Sequence, residues 1–227
     1  MIRKKYDENF FEVIDTEEKA YFLGFIMADG CVINNKEKYR YLLTIKIHPK
    51  DKEILEKFIE VIKGEMVVTM DKKREICQIH ISGKKIVSDL ERLGCVENKT
   101  KTLVYPNLPK ELERHFLRGY FDGDGCVRVK EDKRDNTKRG DVRIIGASYG
   151  FITKYNNAIL DIFGVTTNKP YGPKTNEYYF IGWASMTDVE KIYKGFYDKT
   201  ELFLTRKKTI FNEVVEIIRN KQKYRKK

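Results

Sequence analysis

The sequence predicts an α+β protein made of two pseudo-symmetric αββαββα halves, with one helix from each half paired at their interface. Three observations predict it. The stretch AYFLGFIMADGCV at 20–32 returns as HFLRGYFDGDGCV at 115–127, an offset of 95 residues in a chain of 227. After each copy the apolar pattern switches from helical spacing to alternation and back. The segments that follow the two copies also come in the same order.

In the first half, Phe22, Leu23, Ile26 and Met27 make the segment 20–30 apolar nearly all round, which marks a buried helix. CVINNKEKYRYLLTIKI then reads as a hairpin with a polar tip, in which Leu43, Ile45 and Ile47 alternate. DKEILEKFIEVIKG carries Ile54, Phe58, Ile59 and Ile62 at helical spacing and stops at Gly64. EMVVTMDKKREICQIHIS is a second hairpin turning at Asp71, and Lys84 to Leu93 is a second helix. The second half repeats this: CVRVKEDKRDNTKRGDVRIIGAS is a hairpin with a longer, more charged tip, and YGFITKYNNAILDIFG is a helix ending at Gly164. VTTNKPYGPKTNEYYFIGWAS is a hairpin, Met186 to Phe196 a helix, and Leu204 to Asn220 a closing helix before a basic tail. The join is the loop 94–112 with Pro106 and Pro109, so the expected domains are 1-105 and 106-227.

Composition narrows the function. There are 45 Lys+Arg against 34 Asp+Glu, a net charge of +11, with pI near 9.3. That excess favours a polyanionic partner, nucleic acid above all. The apolar runs are too short to span a bilayer, and the N-terminus lacks the continuous apolar run of a secretory signal. No membrane partner and an intracellular location are therefore expected. Cys31, Cys77, Cys95 and Cys126 do not fall at metal-ligand spacing and are not flanked by His48, His80 or His115, so no zinc site is expected.

The two helices carry the chemistry. Gly24 and Ala28 in the first, and Gly119 and Gly123 in the second, lie at i and i+4, which allows two backbones to approach closely. Each helix ends in Asp-Gly, and Gly30 and Gly125 are expected as left-handed helix stops. Asp29 and Asp124 then sit where the helix dipole disfavours a carboxylate. Two carboxylates brought together at two negative helix ends call for a divalent cation with oxygen ligands, and Mg2+ fits, completed by substrate phosphate.

These residues resemble a known family. FLGFIMADG (22–30) and LRGYFDGDG (117–125) are similar to the paired signatures of single-chain LAGLIDADG homing endonucleases, and motif spacing, the repeated element order and the basic charge agree over nearly the whole chain. The resemblance implies motif helices at the interface and two antiparallel sheets forming a DNA-binding saddle. It implies a monomer that binds double-stranded DNA and cuts both strands of a long, non-palindromic target. Asp29 and Asp124 are then both catalytic residues and ligands of Mg2+, for which Mn2+ or Ca2+ substitutes in binding. VENKTKTL and FLTRKKTIF resemble the family's runs carrying a basic residue near each site, which picks out Lys99 and Lys207 as further catalytic residues. The family's earlier acid is Met27 in the first copy and Asp122 in the second. Arg118 stands where the family usually has Ala, and is expected to point to solvent or to a phosphate.

Base reading would come from the outward residues of the strands. In the first half these are Thr44, Lys46 and His48 on one strand and Arg74, Gln78 and His80 on another; in the second, Arg128 and Lys130 share a face with Arg143. Two further readings use the same fold: a non-cleaving DNA-binding regulator, and an RNA maturase, for which intron RNA is the partner. A free-standing protein rather than an intein is expected from the initial Met and the final Lys226-Lys227.

Overall fold

Helix α1 (Glu17–Asp29) begins at Thr16, whose backbone is extended and whose hydroxyl accepts from the Lys19 amide at 3.3 Å. Glu17 and Glu18 in its first turn suit the positive end of the helix dipole. In this computed structural model the described residues are 5–96, 102–132, 137–172 and 178–225. They fall into two compact units, 1–123 and 124–227.

In the first unit α1 is followed by β1 (Gly30–Asn35), β2 (Arg40–Ile47), α2 (Lys52–Val61), β3 (Thr69–Asp71), β4 (Ile76–Ser82) and α3 (Lys84–Arg92). The strands form one antiparallel sheet in the order β1-β2-β4-β3. Register sets the faces: Val32 pairs with Leu43 and Leu43 with Ile81, while Ile45 pairs with Ile79 and Ile47 with Cys77. All of these are buried, beneath α1, α2 and α3. Ile54, Leu55 and Phe58 close the same core from α2, and each such side chain contributes about 1.5–3 kcal/mol relative to exposure. The helix α2 stops one residue early by the sequence pattern, because Lys63, not Gly64, takes the left-handed conformation (φ 51°).

The fourth helix, α4 (Lys110–Asp124), starts directly after Pro109. All but its last residue packs with the first unit. The repeat boundary at 105/106 precedes α4, whereas the packing boundary follows it, because α4 lies on α1.

The second unit holds β5 (Gly125–Asp132), β6 (Thr137–Gly146), α5 (Tyr149–Phe163), β7 (Tyr179–Trp183), α6 (Met186–Tyr197) and α7 (Thr205–Arg225). Its antiparallel sheet runs β5-β6-β7. Helices α5, α6 and α7 pack on one face over Val142, Ile144, Ile181 and Trp183. Gly164 ends α5 in the left-handed conformation (φ 61°, ψ 39°). The hairpin expected before α6 is represented among the described residues by β7 and by a single bridge between Tyr171 and Phe180; its tip lies outside them. Seven α-helices and seven strands are thus present among the described residues.

Candidate functional site

Helices α1 and α4 touch backbone to backbone within the first unit. A side chain on Gly24 would overlap the Phe116 carbonyl oxygen and lie 2.7 Å from the Tyr120 amide nitrogen. One on Gly119 would overlap the Tyr21 carbonyl oxygen and lie 3.1 Å from the Phe25 nitrogen. Gly123 faces the Ala28 methyl, and Asp29 Oδ2 is 3.0 Å from where its Cβ would stand. The contacts of Tyr21 with Gly119, Gly24 with Tyr120 and Ala28 with Gly123 advance together, so the two helices run parallel.

Each helix delivers a carboxylate at its C-terminus. Asp29 closes α1 and is half-buried; Asp124 closes α4, is half-buried, and is followed at once by β5. Neither helix has a basic residue in its last turn to offset the dipole's negative end. The left-handed stop expected at Gly30 is absent. Gly30 is extended (φ −79°, ψ 152°), and its amide donates to the Ile26 carbonyl. Glycine is needed there for close approach instead, since a Cβ would stand 2.6 Å from that carbonyl oxygen and 2.7 Å from Ile26 Cγ2. Gly125 likewise begins β5, and the positive-φ glycines among the described residues are Gly94 and Gly164.

The carboxylates are hard oxygen donors. Among the described residues no group of three or more His, Cys, Asp or Glu side chains could hold a metal by itself. Each carboxylate is a donor of the kind that a hard divalent cation takes.

Arg118 does not reach solvent or a phosphate. It is fully buried in the first unit, its Nη2 donates to Glu17 Oε1 at 2.7 Å, and its guanidinium lies 5.2 Å over the Tyr21 ring. Its Nη1 lies 3.0 Å from His115 Nδ1. Burial, then the Arg118 charge, lowers the His115 pKa to about 4, so the ring is neutral at neutral pH. The same Nδ1 lies 3.1 Å from Glu17 Oε1, so the neutral ring sits beside both the guanidinium and its carboxylate and forms no ion pair. Beside this group the Tyr21 hydroxyl donates to Asp122 Oδ2 at 2.8 Å, with Asp122 buried. Burial and the Asp122 charge raise the Tyr21 pKa well above the usual phenol value. The sequence pattern gave no sign of Glu17 as the partner of Arg118, because the two are 101 residues apart.

On the first sheet, Thr44 pairs across strands with His80 and Lys46 with Gln78, which puts all four on the face away from the helices. Lys46 and His80 are exposed. Thr44 is not: its Oγ1 lies 3.0 Å from His80 Nδ1 and it is 6% exposed, covered by that contact. Burial and the nearby Lys46 ammonium lower the His80 pKa. Two expected strand residues lie outside strands. His48 follows β2, and its Nδ1 accepts from the Lys50 amide at 3.1 Å in a short 3-10 turn. Arg74 is in the β3–β4 turn, where its amide and that of Lys73 donate to Asp71 Oδ1.

On the second sheet Arg128 and Arg143 share the outer face, and Lys130 follows in register on β5. Between the arginines stands a residue the sequence reading missed, Asp141. Arg128 Nε and Nη2 donate to its two oxygens at 2.9 and 3.2 Å, and Arg143 Nη2 donates at 3.4 Å. Lys207 lies in the first turn of α7 and is buried at 6% exposure. The next residue, Lys208, instead places its ammonium 3.7 Å over the Phe203 ring. Lys99 lies outside the described residues.

With this geometry in place, comparison with known proteins is decisive for the fold. A family model described as a LAGLIDADG-like domain matches residues 111–221. That match covers just under half of the chain. Over most of its length it also has the fold of LAGLIDADG homing endonucleases. The I-LtrWI enzyme bound to target DNA is similar at TM-score 0.64 and 15% identity, covering 90% of this chain and 91% of that one. The I-GzeII enzyme in complex with its DNA target is similar at TM-score 0.62 and 14% identity, covering 89% and 91%. I-SmaMI bound to uncleaved DNA in the presence of calcium ions is similar at TM-score 0.64 and 11% identity, covering 92% and 93%.

Curated relatives match only along short stretches of themselves. A probable translation initiation factor IF-2 of Methanocaldococcus jannaschii is 25% identical over 90% of this chain but 16% of its own length. A reverse gyrase of the same organism is 24% identical over 72% of this chain and 8% of its own length. The chain thus spans less than a fifth of these relatives. Asp29 and Asp124 are the last residues of α1 and α4, and Gly24, Gly119 and Gly123 lie in the α1–α4 contact.

Proposed function

We propose that this chain is a site-specific, double-strand DNA endonuclease of the homing type, acting with Mg2+ on a long, non-palindromic target. The observation that carries the proposal is the α1–α4 contact, which is close enough to need Gly24 and Gly119 and leads to a carboxylate at the C-terminus of each helix. The fold likeness to DNA-bound LAGLIDADG homing endonucleases supports it. So does the likeness of the chain to short stretches of long, differently named proteins, which fits a module found inserted in unrelated hosts.

Asp29 and Asp124 are the ligands in this reading. The cation, when bound, supplies Lewis-acid activation of water and stabilises charge on the leaving 3′-oxygen. The chain's own residues do the rest. The outer faces of the two sheets bind and orient the duplex, Lys46 and Gln78 on one and Arg128 and Arg143 on the other. Lys207 and Lys99 offset charge developing on the phosphate. The surplus of basic residues draws the protein to DNA and makes its binding salt-dependent. The protein acts inside the cell as a monomer, with halves 1-105 and 106-227 each contributing one carboxylate.

The test uses a duplex spanning the insertion site of the gene, with Mg2+. The wild type should cut both strands and leave short 3′ overhangs, while Asp29→Asn and Asp124→Asn should each lose cleavage and keep binding. Binding without cleavage in either Mg2+ or Mn2+ would replace this reading with the non-cleaving regulator. Tighter binding to intron RNA than to this DNA would replace it with the maturase.

A further inference from the structure

We infer that Asp141 is a positioning residue that fixes Arg128 as a guanine reader on the second sheet; the inference rests on the DNA-binding reading above. Arg128 and Asp141 are cross-strand partners in the β5–β6 register. The carboxylate takes the Nε and Nη2 edge of the guanidinium at 2.9 and 3.2 Å. A guanidinium has five N–H groups in a rigid fork. A pair made through Nε and one Nη2 hydrogen leaves both Nη1 hydrogens and the second Nη2 hydrogen outside it. One Nη1 hydrogen and the second Nη2 hydrogen point along the end of the fork, an edge that pairs bidentately with guanine O6 and N7. An unsupported arginine must lose rotamer freedom when it binds. Here the carboxylate fixes the plane of the fork before any base arrives.

Burial and charge agree. The Asp141 side chain is 13% exposed whereas Arg128 keeps 38%, so the acid lies beneath the base it holds. Arg143 reinforces the arrangement from the other side, its Nη2 3.4 Å from Asp141 Oδ2. It lies over Gly182, its neighbour on β7, where a Cβ would stand 3.2 Å from Arg143 Cγ. One carboxylate between two guanidinium groups leaves the cluster net positive. A lone acid on a DNA-facing sheet would repel phosphate, whereas this one is covered by two cations. The pairing predicts a specificity role: Asp141 contributes to which base is preferred more than to how tightly DNA is held.

The experiment selects bound sequences from a randomised duplex library at fixed salt, using the full-length wild type, Arg128→Lys and Asp141→Asn. Arg128→Lys keeps the charge and loses the fork. Asp141→Asn keeps the shape and loses the bidentate partner. A circular-dichroism melt of each variant confirms that it is folded. The wild type should enrich a target with a guanine that both variants cease to favour, by about 5- to 150-fold for Arg128→Lys and by less for Asp141→Asn. If both variants enrich the wild-type target with unchanged discrimination at every position, the pair is a strand-to-strand ion pair only and the inference falls, while the DNA reading stands. If the wild type enriches no sequence over the input library, the DNA-target reading falls and takes the inference with it.

Discussion

Replacing Gly119 by alanine tests the α1–α4 contact with one methyl group. The substitution has two opposed effects. Alanine is the better helix former by about 1 kcal/mol. The added Cβ would overlap the Tyr21 carbonyl oxygen and stand 2.8 Å from its carbon and 3.1 Å from the Phe25 nitrogen. These are backbone atoms of a buried helix, so no rotamer change relieves them and the helices must separate. Overpacking typically costs about 1–3 kcal/mol, and more where nothing can yield. The upper end applies here, leaving a net destabilisation of about 2 kcal/mol. In a chain of this size, each kcal/mol lowers the melting temperature by roughly 2–4 °C, so a drop of about 4–8 °C is expected. Gly150→Ala is the control: it is also helical, but a Cβ there would meet nothing within 4 Å. With no clash to offset the propensity gain, it should leave stability unchanged or raise it by up to about 1 kcal/mol. Thermal melts by circular dichroism compare the two variants. A Gly119→Ala protein that melts at or above the wild type would refute the reasoning, because propensity would then outweigh a contact that has room to relax.

Other predictions follow from the buried groups and the sheet. Glu17→Ala leaves the Arg118 charge buried without its carboxylate and should cost about 2–4 kcal/mol, whereas Arg118→Leu, which installs the residue type of the equivalent Leu23, should cost less; urea titrations that rank them the other way would contradict this. His115 titrates at about 4 when folded against 6.5 in its ordinary state, so the unfolded chain binds the proton first. Its contribution to stability is complete above pH 6.5 and is lost as pH falls from there toward 4; His115→Gln should flatten the stability profile across that window. On the sheet, Lys46→Ala should reduce the salt slope of DNA binding by about 0.9. His80→Gln should leave that slope unchanged at neutral pH, since the His80 pKa is lowered; fluorescence anisotropy across a salt series separates the two. Tyr21→Phe should cost about 1–3 kcal/mol by removing a donor from the buried Asp122 carboxylate. Pairing it with Asp122→Met should cost clearly less than the sum of the single changes, and strict additivity in the double-mutant cycle would show that the hydrogen bond contributes nothing.

The helix order, the two antiparallel sheets and the core faces were legible because apolar period and turn chemistry are local. Val32, Leu43, Ile45, Cys77, Ile79 and Ile81 alternate in the sequence and are buried in register. What was not legible depends on partners distant in sequence. Thr44 reads as an outward strand residue, and only the opposite His80 covers it. Asp141 looks like one acid in a charged hairpin until the β5–β6 register sets it against Arg128. Gly30 looks like a left-handed stop, and its actual constraint, contact with Ile26 one turn back, is a matter of packing and not of dihedral preference. Arg118 reads as pointing to solvent or to a phosphate because a lone arginine on an apolar helix has no local partner. Its carboxylate came from the other copy of the repeat.

That last contact explains why the two copies of a duplicated helix differ where they do. At an offset of 95 residues, Tyr21 corresponds to Phe116, Leu23 to Arg118 and Met27 to Asp122. The small residues of the contact are kept in both copies, but each polar residue occurs in one copy only. The Tyr21 hydroxyl therefore meets Asp122 when α1 packs on α4, and Arg118 meets Glu17. If α1 packed on a second α1 in the same manner, the hydroxyl would face Met27. If α4 packed on a second α4, Asp122 would face Phe116 and Arg118 would face Leu112 in place of Glu17. Buried charges without partners cost several kcal/mol. Identical glycine contacts alone would favour all three pairings alike. The polar residues raise the energy of the two like-with-like pairings while the unlike one stays satisfied, so α1 packs on α4 in preference to a second copy of itself.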